Sequence, residues 1–266
     1  MLTILEAIVL GIVQGLAEWL PISSEGMTTL VMLNFFGKTL SDALPIAIWL
    51  HTGTLLSAIV YFRKDILRII ADIPQYVKSR DIEEKKSSII TFLLITTAIT
   101  GIIGLPLILF ATNGNDFSGR LATAIIGGLL IFTGLLQMSA AKRTIHRETT
   151  GIVDAVIVGI TQGFSALPGV SRSGITVSTL ILRNIEPAQA LRLSFLMSIP
   201  AVLAANVGME AMGLLDITAN SIVALIFAFV TGILTIDLFI KAAKKIDFSK
   251  FCIALGLLSI LAYFVG

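Results

Sequence analysis

Residues 167–176 form a polar turn inside apolar sequence, and their types suit the binding of an anion. The Pro-Gly pair near its start breaks an incoming helix, and Ser171 or Ser173 can cap the helix that follows. The first turn of that helix presents free N–H groups and the positive end of the helix dipole. The segment therefore predicts an anion-binding helix N-terminus.

Arg172 lies at the centre of this turn. Its planar guanidinium has a fork of donors that matches phosphate oxygens. In the lipid interior an arginine costs roughly 2.5–3.5 kcal/mol on insertion scales, so it needs a partner. One interpretation is a purely structural ion pair with Glu18 or Glu25. The three hydroxyl-bearing residues near Arg172 favour the other, in which Arg172 binds phosphate.

A second polar segment, residues 14–27, supplies carboxylates. Gln14 and Glu18 are four residues apart, so they share one face of a helix. Glu18 is a candidate general base or metal ligand. Its structural alternative is the ion pair to Arg172.

The same segment also predicts a second helix N-terminus. Pro21 stops the first helix, and Ser23 or Ser24 can cap the next one. Glu25 can belong to the site, or it can cap a helix and face water at the tip of the turn. Two such N-termini aimed at one point predict a shared site for a negatively charged ligand.

Each polar segment follows a copy of the same ten-residue sequence, at residues 6–15 and 154–163. Five of the ten positions are identical, and a sixth pairs Glu6 with Asp154. This duplication predicts two related halves, residues 1–150 and 151–266, with one site between them.

Composition identifies the class of protein. Of the 266 residues, 56% are apolar and 14% are charged, and mean hydropathy is +0.95. A soluble domain usually has about a quarter charged residues, so we predict an all-α integral membrane protein. A net charge of +2 gives no reason to expect a nucleic-acid partner. The single cysteine, Cys252, excludes an internal disulfide.

The apolar runs have two lengths. Six are long enough, or nearly so, to cross the bilayer as helices; they are residues 43–62, 87–112, 121–141, 193–209, 217–236 and 251–266. Four are about half as long and bracket the polar segments; they are residues 7–17, 26–37, 155–167 and 173–182. We predict six spanning helices and two re-entrant helical hairpins, whose turns meet at mid-membrane. Three crossings separate the hairpins, which makes the repeat inverted in topology.

Basic residues set the expected orientation. Sixteen Lys and Arg residues fall on one face, seven of them in the predicted loop 63–86, and only Lys38 and Arg120 fall on the other. The positive-inside rule therefore predicts both termini on the outer face of the cell membrane.

These segments together resemble the undecaprenyl-diphosphate phosphatases of the bacitracin-resistance type. Residues 168–176 resemble the most specific signature of that family, and Gln14 with Glu18 resembles its first motif. Residues 194–202 also resemble the family. The resemblance implies removal of the terminal phosphate from a polyprenyl diphosphate lipid, with Mg²⁺ or Ca²⁺ as cofactor, at a site that opens to the outer face. It leaves the oligomeric state open, a homodimer included.

The resemblance also implies roles for particular residues. Glu18 is the expected catalytic carboxylate and metal ligand, Ser24 the expected nucleophile or phosphate ligand, and Arg172 a catalytic cation. Residues expected to bind the substrate are Gln14, Ser23, Glu25, Ser171, Ser173, Gly174 and Thr176.

Two positions depart from the family pattern. The family usually has Thr where this chain has Glu25, and His where it has Met27. A methionine cannot accept or donate the proton that the family's His is expected to move. Either Glu18 or Glu25 takes over that role with a metal, or the protein binds the lipid without cleaving it efficiently.

Two other functions stay open at this level. Inverted repeats around a midplane site are also typical of transporters, so a polyprenyl-phosphate flippase is the main alternative. A small-solute carrier fits less well, because Arg172 with its serines indicates phosphate. His51, within a predicted span beside Thr52 and Thr54, is interpreted as a hydrogen-bonded packing residue rather than a catalytic one.

Overall fold

The computed structural model describes residues 2–112, 118–144, 147, 149–243 and 246–265, and the regular structure in them is helical, apart from one isolated bridge between Arg147 and Ile185. This confirms the predicted all-α class. The helices are α1 (Ile4–Ala17), α2 (Ser24–Phe35), α3 (Leu40–Tyr61), α4 (Arg63–Lys78), α5 (Ile82–Ser87), α6 (Ile89–Thr112), α7 (Gly119–Ala140), α8 (Ile152–Phe164), α9 (Arg172–Leu182), α10 (Pro187–Ala211), α11 (Ala219–Ala243) and α12 (Ser249–Val265).

In the described part of the chain, five helices are long and apolar enough to cross a bilayer, namely α3, α6, α7, α10 and α11. They make the chain a multi-pass membrane protein. The sixth predicted span corresponds to α12, an apolar helix of 17 residues that packs along α7.

Four helices have half the length of a span. The helices α1, α2, α8 and α9 contain 14, 12, 13 and 11 residues. At a rise of 1.5 Å per residue each covers about 16–21 Å, short of the ~30 Å hydrocarbon core. Within each pair, α1 packs on α2 and α8 packs on α9. Two helical hairpins therefore exist, and their re-entry into the membrane and inverted topology stay predictions.

The repeated sequence positions face corresponding neighbours. Helix α1 packs along α11, while α8 packs along α6. A Cβ on Gly11 would lie 2.4 Å from the carbonyl oxygen of Ala224 in α11, and one on Gly159 would lie 3.0 Å from Ile99 in α6. Small residues let two helix backbones approach this closely in a membrane protein. The duplicated glycines thus serve equivalent helix contacts, although the division into halves at residue 150 stays a prediction.

The contact between α7 and α12 gives a test of this packing. A Cβ on Gly127 would lie 2.6 Å from the carbonyl oxygen of Gly256, whereas one on Gly128 would meet no atom within 4 Å. Gly127→Ala is therefore expected to lower stability by roughly 1–3 kcal/mol through overpacking. Gly128→Ala is the matched control, expected to be neutral or stabilising because alanine favours helix. Thermal unfolding midpoints in detergent measure both, and equal midpoints would contradict the close contact.

One predicted loop is mostly helical. Residues 63–86 were expected to be a basic loop, but they contain α4 and most of α5. Helix α4 has no buried residue, and its exposed apolar side chains include Leu67, Ile70 and Val77. An amphipathic helix with Lys and Arg on its polar face is typical of one that lies along the membrane surface. The charges of this segment indicated a loop, because the helical spacing of its apolar residues was not considered with them.

Candidate functional site

The turns of the two hairpins touch each other through one serine. Ser23 is the N-cap of α2, and its Oγ accepts hydrogen bonds from the backbone N–H of Gly26 and of Gly169, both at 3.2 Å. Its backbone has a left-handed φ of 64°, which is uncommon for a residue with a side chain. Of the two predicted caps, Ser23 is therefore the one used, and it joins the first turn to the second.

The second turn is capped in the same manner. Ser171 is the N-cap of α9, and its Oγ accepts from the N–H of Gly174 at 3.1 Å. Ser173 lies beside it, with 3.5 Å between the two hydroxyl oxygens, and donates to the carbonyl of Leu20 at 3.4 Å. Both serines are buried in a group of polar side chains, hereafter the polar cluster, whose other members are Glu18, Ser23, Ser24, Glu25, His51 and Arg172. The amide of Gly174 already has a partner inside the cap.

Thr176 is one residue that the structure does not bring into the cluster. Its hydroxyl donates to the carbonyl of Arg172 at 2.7 Å and lies 2.7 Å from the hydroxyl of Ser194 on α10. It is fully buried between these helices. The role predicted for Thr176 in holding a diphosphate stays a prediction.

A network around Glu18 joins the two hairpins. Its Oε1 accepts from Nη2 of Arg172, across the two turns. Its Oε2 accepts from Nε2 of Gln14 at 2.8 Å and from Oγ of Ser24 at 2.6 Å. The side chains of Glu18 and Arg172 are 4% and 14% exposed. Removing one partner of such a buried pair leaves an uncompensated charge, at a cost of about 3–5 kcal/mol.

His51 on α3 completes this network, which sequence reasoning missed. Its Nε2 lies 3.4 Å from Oγ of Ser24 and 3.4 Å from Oε2 of Glu18. The predicted hydrogen bonding of His51 is present, to the carbonyl of Ala47 at 2.8 Å, but its position beside Glu18 and Ser24 was not predicted. One signal could have found it, because an ionisable side chain within a transmembrane segment is by default a candidate for function.

Three buried polar atoms of the predicted site residues have no hydrogen-bond partner within the protein. They are Nη1 of Arg172, Oε1 of Glu25 and Oε1 of Gln14. Buried polar groups are nearly always hydrogen-bonded, so exceptions need a reason. The free Nη1 of Arg172 can donate to an anion while Nη2 keeps its bond to Glu18.

A largely apolar cavity of about 320 Å³ adjoins the cluster. Apolar residues of α3, α6 and α10 line it, among them Ile48, Leu105 and Val202. At its polar end it reaches Glu25, His51 and Arg172, together with Gln162 and Ser165. The space enclosed among the cluster's own side chains is about 20 Å³, enough for a single water. The larger cavity therefore combines mostly apolar walls with charged side chains where it meets the cluster.

The carboxylates and other polar side chains around Glu18 do not form a ready site for a metal ion. Both oxygens of Glu18 already accept hydrogen bonds, from Arg172, Gln14 and Ser24. Within the described ranges, no three side chains of His, Cys, Asp or Glu converge on one point. Glu18 as a ligand of Mg²⁺ or Ca²⁺ has no support from this geometry.

Met27 lies outside the polar network. Its side chain packs with Leu20 and Phe248 against a buried apolar cluster that includes Cys252. It is half-buried on α2. The position where the family usually has its histidine is therefore part of an apolar contact in this chain.

Comparison with known proteins identifies the family of this chain. The family model described as "Bacitracin resistance protein BacA" matches residues 7–261. A curated undecaprenyl-diphosphatase from Methanococcoides burtonii is 57% identical over 265 residues, covering 100% of both chains. Proteins with the same name from Methanothrix thermoacetophila and Haloarcula marismortui are 37% and 40% identical, covering 96% and 95% of this chain and 95% and 94% of their own. This chain belongs to the bacitracin resistance protein BacA family.

Proposed function

We propose that this protein hydrolyses undecaprenyl diphosphate, or a closely similar polyprenyl diphosphate, to the lipid monophosphate and inorganic phosphate. The observation that carries the proposal is the position of Arg172, with one free donor, at the polar end of an apolar cavity. The full-length relatives named as undecaprenyl-diphosphatases support the same reaction.

Different parts of the site would bind the two parts of the substrate. The isoprenoid tail would lie against the apolar residues of α3, α6 and α10, and the diphosphate would meet the N-termini of α2 and α9. Helix N-termini favour anions through their free N–H groups and dipoles. Nη1 of Arg172 would hold the terminal phosphate and stabilise the charge that develops during transfer. Ser171 and Ser173 would line the phosphate side.

Ser24 is our proposed nucleophile. Its hydroxyl is held by Oε2 of Glu18 at 2.6 Å, and Gln14 fixes the same carboxylate oxygen at 2.8 Å. Glu18 in turn holds Arg172 by its other oxygen. One carboxylate thus fixes the attacking oxygen relative to the cation that binds phosphate, and such positioning lowers the barrier to attack.

We also propose that the site opens to the outer face, the face on which both termini are predicted to lie. Most of the residues of α6 and α10 that line the cavity lie in the second halves of these helices, which end at Thr112 and Ala211. The positive-inside count predicts that those ends lie on the face that carries only Lys38 and Arg120 among the loop basic residues. A homodimer stays a prediction. The molar mass of the purified protein, measured by light scattering, tests it.

Phosphate release and lipid translocation distinguish the proposed activity from the flippase. Purified protein in liposomes that contain a polyprenyl diphosphate is expected to release inorganic phosphate. Movement of labelled lipid phosphate between leaflets with no phosphate release would contradict hydrolysis and favour a flippase. Inhibition by soluble anions as strong as that by diphosphate lipids would instead favour a small-solute carrier. Addition of EDTA and then Mg²⁺ or Ca²⁺ in the same assay tests the cofactor, which stays a prediction.

A further inference from the structure

We propose that His51 is the proton acceptor of this reaction, in place of the family's histidine, whose position is occupied here by Met27. The inference rests on the proposed function and adds a catalytic residue from α3 to a site otherwise built from the two hairpins. Its starting point is the contact between Nε2 of His51 and Oγ of Ser24, at 3.4 Å.

The backbone of α3 orients the imidazole for this role. Nδ1 of His51 lies 2.8 Å from the carbonyl oxygen of Ala47, one helical turn earlier. A carbonyl oxygen only accepts hydrogen bonds, so Nδ1 carries the hydrogen. In the neutral ring Nε2 then holds the lone pair, and Nε2 is the atom that faces Ser24. The distance of 3.4 Å is long, but catalytic hydrogen bonds often tighten only when substrate binds.

Glu18 accepts the hydrogen bond of Ser24 at 2.6 Å, but its negative charge is needed by Arg172, so it is a poor final acceptor of the proton. Its two oxygens accept three hydrogen bonds, one of which is the ion pair with Arg172. Protonation would neutralise the counterion of a largely buried guanidinium, which is costly. Glu18 instead lies 3.4 Å from Nε2 of His51 and can stabilise the imidazolium that forms.

The reaction would then have two steps, transfer of the phosphoryl group to Ser24 and hydrolysis of the phosphoserine. Oγ of Ser24 bonds to the terminal phosphorus while the bond from that phosphorus to the bridging oxygen breaks. Nε2 of His51 takes the hydroxyl proton and returns it to the bridging oxygen of the departing lipid monophosphate. A water molecule next attacks the phosphoserine, its proton passes to His51, and the freed Ser24 oxygen takes that proton as inorganic phosphate leaves.

Kinetics of purified variants with farnesyl diphosphate test the assignment. His51→Gln and His51→Ala are each expected to lower kcat by roughly 10²–10⁴-fold with little change in KM, as for loss of a general base. Because His51 lines the 320 Å³ cavity, added imidazole is expected to restore part of the activity of His51→Ala. A merely structural role would not give this restoration. Elution on size exclusion and the thermal unfolding midpoint show that each variant is folded.

His146→Gln is the matched control, since His146 is the other histidine of the chain and lies outside the described residues. It is expected to keep wild-type kinetics. Activity of His51→Gln within about tenfold of wild type would overturn the assignment and leave the proposed function intact. A loss in His51→Ala that imidazole does not restore would also count against it. Wild-type protein that releases no phosphate would overturn the proposed function and this inference together.

Two further variants test whether the proton acceptor could instead be Glu25 or a histidine at position 27. Glu25→Gln removes the other carboxylate of the first turn, and a large loss there with His51→Gln spared would make Glu25 the base instead. Met27→His is expected to give no gain in the wild-type background, because residue 27 packs with Leu20 and Phe248. A large gain from Met27→His would show that the wild-type chain lacks a working base, and would overturn the role of His51.

Discussion

Arg172→Ala is expected to lower kcat/KM for a polyprenyl diphosphate by roughly 10³–10⁵-fold, the range seen when an arginine that stabilises phosphoryl transfer is removed. Nη2 of Arg172 binds Glu18, while Nη1 has no partner in the protein and is free for phosphate. The variant therefore loses both the cation at the phosphate and the contact that fixes Glu18. Steady-state phosphate release measures the effect.

Two companion variants separate charge from geometry. Arg172→Lys keeps the positive charge but not the planar fork, so it is expected to recover only a small part of the loss. Arg120→Ala is the control for a general electrostatic effect, because Arg120 is exposed and belongs to the outer-face loops in the predicted orientation. If Arg172→Ala kept most of its activity, Arg172 would be a structural residue only.

Ser24→Ala is expected to cost at least about 10³-fold in kcat, as for removal of a catalytic nucleophile. The hydroxyl of Ser24 lies between Oε2 of Glu18 at 2.6 Å and Nε2 of His51 at 3.4 Å. Acid-quenched wild-type protein mixed with substrate is expected to carry phosphate on Ser24, which peptide mass spectrometry detects.

The control for Ser24→Ala is Ser259→Ala, which removes a buried serine hydroxyl of α12 away from the cluster. This control is expected to retain activity. An active Ser24→Ala variant with no phosphoserine in wild type would mean that water attacks the phosphorus directly. Ser24 would then be a phosphate ligand rather than the nucleophile.

Local sequence signals predicted the hairpins well. Half-length apolar runs around Pro21 and Pro168 gave four short helices, because helix length and proline breaks are properties of local sequence. The same signals did not decide between neighbouring serines as caps. Ser23 acts as the cap and has a left-handed backbone conformation. Its Oγ also accepts a hydrogen bond from the N–H of Gly169 in the other hairpin. That bond joins residues far apart in sequence, so spacing alone could not predict it.

The membership of the cluster was harder to predict. The ion pair between Glu18 and Arg172 was the less favoured of two interpretations of Arg172, and the sequence did not decide between Glu18 and Glu25 as its partner. The position of His51 beside Glu18 and Ser24 was not predicted, because the direction in which α3 faces depends on its packing against other helices. Thr176 was expected to bind the diphosphate together with Arg172, which stays a prediction, and its hydroxyl donates to the Arg172 carbonyl and faces Ser194. Spacing of four residues gives a shared helix face but not the direction of a hydroxyl.

The double variant Glu18→Gln/Arg172→Gln tests most directly whether the pair at the meeting of the two turns performs chemistry or only holds the turns together. Each single change leaves one largely buried charge unpaired, whereas the double change removes both charges. We predict that the double variant recovers most of the unfolding midpoint lost by Arg172→Gln, yet releases no phosphate above background. Recovery of phosphate release together with stability would contradict the account, because the pair would then be a structural contact and the reaction would take place without it.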